Sequence, residues 1–198
     1  MITLAIETST PRGSLAVHDG AAMVLEEHFA ADRGTGATLF PLLESALERV
    51  PLIQQIAVGL GPGSYAGIRI AIAASMGLSM AKEVPLVGIP SVAALLEEHY
   101  VVIGDARRDT FYWTEVEAGE CLVGPLLVSQ ADLRSYLPTV AVPLFSTDPL
   151  PMAPHALPAQ PLAAIVAQLA AQNRGIVMRG ALEPIYLREP HITQPRQS

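Results

Sequence analysis

Cysteine, lysine and tryptophan each occur once in this chain of 198 residues. A lone cysteine, Cys121, excludes an internal disulfide and any multi-cysteine zinc site, which fits a reducing compartment. Bases are scarce too: 12 Lys and Arg stand against 19 Asp and Glu, a net charge of −7, and Lys82 is the single lysine. Tight binding to a phosphate backbone needs clustered bases that displace counterions. Direct nucleic-acid binding by this chain alone is therefore not expected. The five histidines (18, 28, 99, 155 and 191) are scattered, and no pair has the i, i+4 spacing that sets two imidazoles on one helix face around a metal. Long apolar runs are missing as well; the longest uncharged helical stretch, residues 70–81, is too short to span a bilayer. The first residues go straight into a strand pattern, so no signal peptide is expected and the reading is cytoplasmic, with no membrane partner.

Apolar residues, by contrast, make up 51% of the chain. That surface must enter a large core or a partner interface. Residues 2–8, 14–18 and 21–29 read as three antiparallel strands, with Asp19-Gly20 as a hairpin signal. Apolar residues at helical spacing follow Thr38, a candidate N-cap, up to Val50, with Pro41 tolerated in the first turn. Residues 53–59 form a strand, 65–82 a long helix, 85–89 a strand, and Ser91 caps a short helix to Glu98. The order βββαβαβα is the layout of one lobe of the actin and sugar-kinase superfold. Strands at 100–105, 110–117 and 122–128 look like the lobe beginning again. Seven prolines between Pro138 and Pro161 then leave mostly loop around a strand at 141–145, before a helix at 162–172. The expected organisation is a first lobe at 1–99, a shortened second lobe at 100–189 and a flexible tail at 190–198.

The long helix is apolar on most sides, so something must cover both the sheet-facing side and the opposite one. Small residues such as Ala73 and Gly77 would let another helix approach closely. Arg69, the only charge between Ile56 and Ala81, reads equally as an interface anchor or as a solvated side chain. Before this helix runs Gly59-Leu60-Gly61-Pro62-Gly63-Ser64. A glycine turn at a helix N-terminus can present N–H groups to an anion. Yet the P-loop lysine, the dinucleotide glycine spacing and the nucleophile-elbow glycines are all missing. Close packing of helix on sheet is the better reading of these glycines. Ser64 has no evident base, so covalent catalysis is not supported.

Several segments together resemble the TsaB (YeaZ) proteins. They are Leu4-Ala5-Ile6-Glu7-Thr8-Ser9, the run Gly61-Pro62-Gly63-Ser64-Tyr65-Ala66-Gly67-Ile68-Arg69-Ile70, Gly88-Ile89-Pro90-Ser91, Asp105-Ala106-Arg107-Arg108 and Pro184-Ile185-Tyr186-Leu187-Arg188. Two places depart from the pattern: Gly34 to Thr38 replaces a usual His-Ser pair, and Tyr65-Ala66 replaces Phe-Thr. The resemblance implies an actin-like two-lobe α/β fold with a degenerate second lobe. It implies a non-catalytic partner of a TsaD-like enzyme in tRNA threonylcarbamoyladenosine synthesis, with a TsaE-like P-loop ATPase acting indirectly and tRNA met only through the complex. It also implies homodimerisation in isolation through the first two helices, here Leu39, Leu42, Leu43 and Ala46, then Tyr65, Ile68, Arg69, Ala73, Met76 and Gly77. In actin-like folds Glu7, Thr8, Ser9, Gly61, Gly63, Ser64 and Asp105 would face a nucleotide. No cofactor is expected to bind independently; a magnesium-nucleotide at an interface shared with the partner stays open. The competing readings are a small-molecule kinase or nucleotide-binding enzyme of the same superfold and, ranked last, a peptidase.

Overall fold

The computed structural model describes residues 1–31, 34–177 and 182–187. The segments expected to form a flexible tail, Arg188, and Asp32 of the polar loop lie outside the described residues.

Two sheets share one plan. In the first, β1 (Thr3–Glu7), β2 (Arg12–His18) and β3 (Met23–Ala30) form an antiparallel meander. The chain then crosses through α1 (Thr35–Arg49) to β4 (Gln55–Gly59), parallel to β1, and through α2 (Tyr65–Lys82) to β5 (Leu86–Ile89), parallel to β4. The second sheet restarts the plan with β6 (His99–Asp105), β7 (Thr110–Glu117) and β8 (Glu120–Ser129), again antiparallel. A short α3 (Gln130–Tyr136) leads to β9 (Leu144–Ser146), parallel to β6, and β10 (Leu157–Pro158) lies along β9. The matching orders β3-β2-β1-β4 and β8-β7-β6-β9 are a duplicated actin-like lobe. Glu7 and Asp105, the last residues of β1 and β6, hold equivalent places.

Strand alternation decides what each face receives. Leu4 and Ile6 of β1 face α1 and α2, while Ala5 faces the other way. That other face is seated by α4 (Ala163–Ala171), which packs across β1, β2, β4 and β5. Ala5, Ala16 and Ala57 on the sheet meet Ala163, Ala167 and Ala170 on the helix, so both surfaces are shallow and the backbones lie close. The same cluster includes Tyr100, Val102, Tyr112 and Val116 of the second sheet, which makes α4 the wedge between the lobes. The Ala163 amide donates to Ser14 Oγ at 2.8 Å, giving one of the orphan donors at the start of α4 a partner.

This placement corrects the expected domain division. Helix α4 and β11 (Ile176–Val177), which pairs antiparallel with β5, come from the stretch assigned to the second lobe yet complete the first. Other boundaries differ as well. Helix α1 starts at Thr35, not after a Thr38 cap, because Gly34 takes the left-handed conformation (φ 104°) that turns the chain into the helix. Beyond Ser91 there is one 3₁₀ turn (Ser91–Ala93) rather than a helix to Glu98; Ala94 accepts from the Leu162 amide and ties this stretch to the start of α4. The strand expected at 141–145 is Leu144–Ser146.

Candidate functional site

Two concavities flank α2. One is a cleft of about 1130 Å³ between the lobes, lined by Ser9, Gly63, Ser64, Tyr65, Asp105, Arg107, Tyr112, Thr147 and Asp148 among others. Glycines create its first-lobe wall by close approach. Gly63 has φ 155°, and a Cβ there would lie 2.1 Å from Ser9 O; a Cβ on Gly67 would lie 2.3 Å from Thr8 O. Thr8 Oγ1 donates to Gly67 O at 2.9 Å, locking the strand end to the first turn of α2. Three amides of the turn and of the first turn of α2 are spent within the protein. Gly61 N donates to Ser91 Oγ (2.9 Å), Ser64 N to Ser9 O (2.6 Å) and Gly67 N to the N-cap Ser64 Oγ (3.2 Å).

Glu7 is 1% exposed and its Oε1 accepts from the Ser9 amide at 2.6 Å. Its Oε2 has no hydrogen-bond partner and sits where a Cβ on Gly59 would be, 1.8 Å away, so only glycine leaves it room. Burial pushes the Glu7 carboxyl above its ordinary range, opposed by the nearby Ser9 and Ser91 groups. Asp105, across the cleft, is held by Arg107 through both the backbone N–H (2.6 Å) and the guanidinium (2.7 Å). Asp148 Oδ2 accepts from the Asp105 amide and the Thr147 hydroxyl. Tyr112, hydrogen-bonded to Thr147, has its phenol pushed well above the usual range by burial.

These environments test the expected nucleotide-facing set. Ser9, Gly63, Ser64 and Asp105 do line the cleft, whereas Glu7, Thr8 and Gly61 are buried behind its wall. The residues do not fit a magnesium-nucleotide held by this chain alone. Of the two strand-end carboxylates, Glu7 is sealed away and Asp105 is paired with Arg107, and the Gly61 and Ser64 amides are bonded within the protein. Among the described residues no three His, Cys, Asp or Glu side chains converge to hold a metal ion.

At the cleft rim Tyr65 and Tyr186 stack with centroids 5.2 Å apart, and Arg69 donates to the Tyr65 hydroxyl at 2.8 Å. The Ile185 amide donates to Leu60 O, so the closing segment is fastened to the glycine turn. Sequence reasoning missed this aromatic pair, whose members are far apart in the chain.

The second concavity is an apolar groove of about 820 Å³ between α1 and α2, on the face of the first sheet opposite α4. Phe40, Leu43, Glu44, Leu47, Glu48, Ala73, Ala74, Gly77 and Leu78 line it. Phe40 is 55% exposed, a large apolar side chain left in water, and Gly77 has open space where a Cβ would be. The expected interface set divides here. Leu39, Ala46 and Ile68 are buried in the chain's own core, which corrects their assignment: the apolar stripe of each helix is spent on the sheet. Leu43 is nearly buried and forms the groove floor. Ala73 and Gly77 open into the groove, Leu42 and Met76 are half-buried, and Tyr65 and Arg69 belong to the cleft rim instead.

Comparison with known proteins places this geometry. A family model described as TsaD, tRNA N6-adenosine threonylcarbamoyltransferase, matches residues 30–134, just over half of the chain. A solved structure titled YeaZ from Pseudomonas aeruginosa superimposes with a TM-score of 0.73 at 27% identity, covering 94% of this chain and 99% of that one. The chain belongs to the TsaB/YeaZ family. An uncharacterized protein of Mycobacterium tuberculosis is 31% identical over 94% of this chain and 92% of its own length. The tRNA threonylcarbamoyladenosine biosynthesis protein TsaB of Escherichia coli is 29% identical, over 61% of this chain and 57% of its own. Among the described residues, no helix in this TsaB/YeaZ member is long and apolar enough to cross a membrane.

Proposed function

We propose that this chain is the non-catalytic partner of a TsaD-family enzyme in tRNA threonylcarbamoyladenosine synthesis, and that it docks through the groove between α1 and α2. One observation carries the reading: the chain's second half lies on the opposite face of the first sheet and leaves this apolar groove open, with Phe40 in water. Burying such a surface is worth roughly 25 cal/mol per Å² of apolar area. The small side at Ala73 and Gly77 accepts a helix at close range. The E. coli and Haemophilus influenzae relatives are named tRNA threonylcarbamoyladenosine biosynthesis protein TsaB, which supports the pathway.

In this reading tRNA meets the chain only within the complex, in keeping with its net charge of −7. A TsaE-like ATPase acts on the assembly rather than on this subunit. Any magnesium-nucleotide sits at a surface shared with the partner, since Glu7 is sealed from the cleft and Asp105 is paired with Arg107.

Co-expression with the TsaD-family protein of the same genome, followed by sizing and a tRNA modification assay, tests the proposal. A stable complex that restores modification is expected. Ala73→Glu should weaken the complex while leaving the circular dichroism spectrum intact, because the new carboxylate would be buried unpaired at the contact. No complex, with both proteins folded, refutes the reading. Calorimetry with ATP and magnesium tests the kinase alternative, which tight binding by the isolated chain would revive.

A further inference from the structure

The second sheet ends on an open edge. Its last strand, β8, pairs with β7 alone among the described residues. Ten residues long, β8 turns its other row of backbone N–H and C=O groups outward. Exposed edges are commonly blunted by lysine or other charges. Strand β8 has no lysine, and its one charge, Glu120, lies 3.2 Å from Arg174. Leu122, Val123, Leu126 and Leu127 are instead 54%, 41%, 46% and 41% exposed, four large apolar side chains left in water on one strand.

An interruption sits between them. Trp113 pairs with Leu126 and Glu115 with Val123, so Gly124 and Pro125 together oppose Thr114 as a bulge. Gly124 has φ 88°, and a Cβ there would lie 2.5 Å from Trp113 O, so only glycine fits. Pro125 has no N–H to offer a neighbouring strand. A regular foreign strand laid along β8 would meet this gap with groups it could not pair. The exposed side chains are symmetric about it: reading outward from Gly124-Pro125, Val123 answers Leu126 and Leu122 answers Leu127. Val123 and Leu126 lie on one face of the sheet, because their partners Glu115 and Trp113 are two residues apart on β7.

We infer that β8 pairs antiparallel with β8 of a second copy, about a two-fold axis at Gly124-Pro125. A two-fold contact requires residue i to meet j and j to meet i. In this register Val123 meets Leu126 of the other copy and Leu122 meets Leu127, each pair occurring twice. The two interruptions fall opposite each other, whereas a shift would set one copy's gap against the other's apolar run. Glu120 falls opposite Ser129, so no like charges face each other. The contact lies on the edge of the second sheet and leaves the groove between α1 and α2 free, so it does not rest on the docking proposed above. A single strand pair is smaller than a standard interface, and the association is accordingly weak, in the micromolar range.

Sedimentation equilibrium of the full chain tests the pairing, with Ala73→Glu present throughout to take the groove out of play. The Ala73→Glu chain should still dimerise. Adding Leu122→Lys should weaken the dimer about tenfold or more, because each ammonium group would be set against Leu127 of the other copy. Adding Leu127→Glu as well should restore most of the affinity, since each lysine then meets a carboxylate across the axis; Leu126→Glu in its place should not. Val123→Lys, rescued by Leu126→Glu, repeats the test on the other face of the strand if circular dichroism shows that Leu122→Lys does not fold. An Ala73→Glu chain that stays monomeric at about 300 µM overturns the inference and leaves the edge to a strand of another protein. So does a dimer that neither lysine weakens, or one that Leu126→Glu restores beside Leu122→Lys as well as Leu127→Glu does.

Discussion

Gly67 and Gly77 lie on one helix ten residues apart, and the same substitution should move stability in opposite directions. In Gly67→Ala the new methyl would start 2.3 Å from Thr8 O and 3.1 Å from Ser64 Oγ. Thr8 O belongs to the end of the central strand and cannot swing away, so α2 must lift until the contact exceeds 3.0 Å. Overpacking of this kind costs about 1–3 kcal/mol. Lifting also stretches the Thr8–Gly67 hydrogen bond, which contributes about 1 kcal/mol. Alanine's better helix propensity returns about 1 kcal/mol. The net expectation is a loss of about 2 kcal/mol. In Gly77→Ala nothing lies within 4 Å, so the propensity gain of about 1 kcal/mol is kept. Urea unfolding at dilution, read by circular dichroism, should therefore separate the variants by about 3 kcal/mol, or roughly 6–12 °C in thermal midpoint for a chain of this size. A Gly67→Ala protein as stable as Gly77→Ala would show that the strand end and helix are not locked together, and the account of the glycine turn would fall with it.

Three further outcomes are expected. Glu7 has its folded pKa raised by burial, so the native state holds a proton that the unfolded state releases from about pH 4.5 upward. Wild-type stability should therefore fall as pH rises from that point toward the raised value, whereas Glu7→Gln, which mimics the neutral acid, should lack this slope in unfolding measured across pH. Ser129→Ala removes the capping box with Asp132 at the start of α3 and should cost about 1 kcal/mol in urea unfolding. Ala167→Leu, at a fully buried seat of α4, should cost about 1–3 kcal/mol and lower the thermal midpoint.

Much of the frame was legible in the residues. Helix α2 was placed correctly from Tyr65 to Lys82, since Ser64 caps it and an unbroken apolar run follows. Strand β7 likewise matches its expected bounds. Helix α3 was missed, although Ser129-x-x-Asp132 is a start signal that seven residues of mixed polarity did little to reinforce. The groove was half-read. Periodicity marks the apolar stripe of a helix, and on α1 and α2 most of that stripe faces the sheet; what lines the open groove includes the off-stripe residues Phe40, Ala73 and Gly77. Glu7 illustrates a different gap. Its place at a strand end was visible, but whether it faced the cleft or the interior depended on Gly59 and Ser91, which pairwise spacing in sequence does not reveal.

The central wedge has a consequence for how the protein is made. Residues 163–171 leave the ribosome long after β1, β2 and β4, yet they dry the alanine face of those strands. A nascent chain therefore carries a half-finished amino-terminal lobe through most of its synthesis. A premature stop before the wedge leaves that alanine face uncovered, and the fragment should be prone to aggregate rather than serve as a smaller working domain.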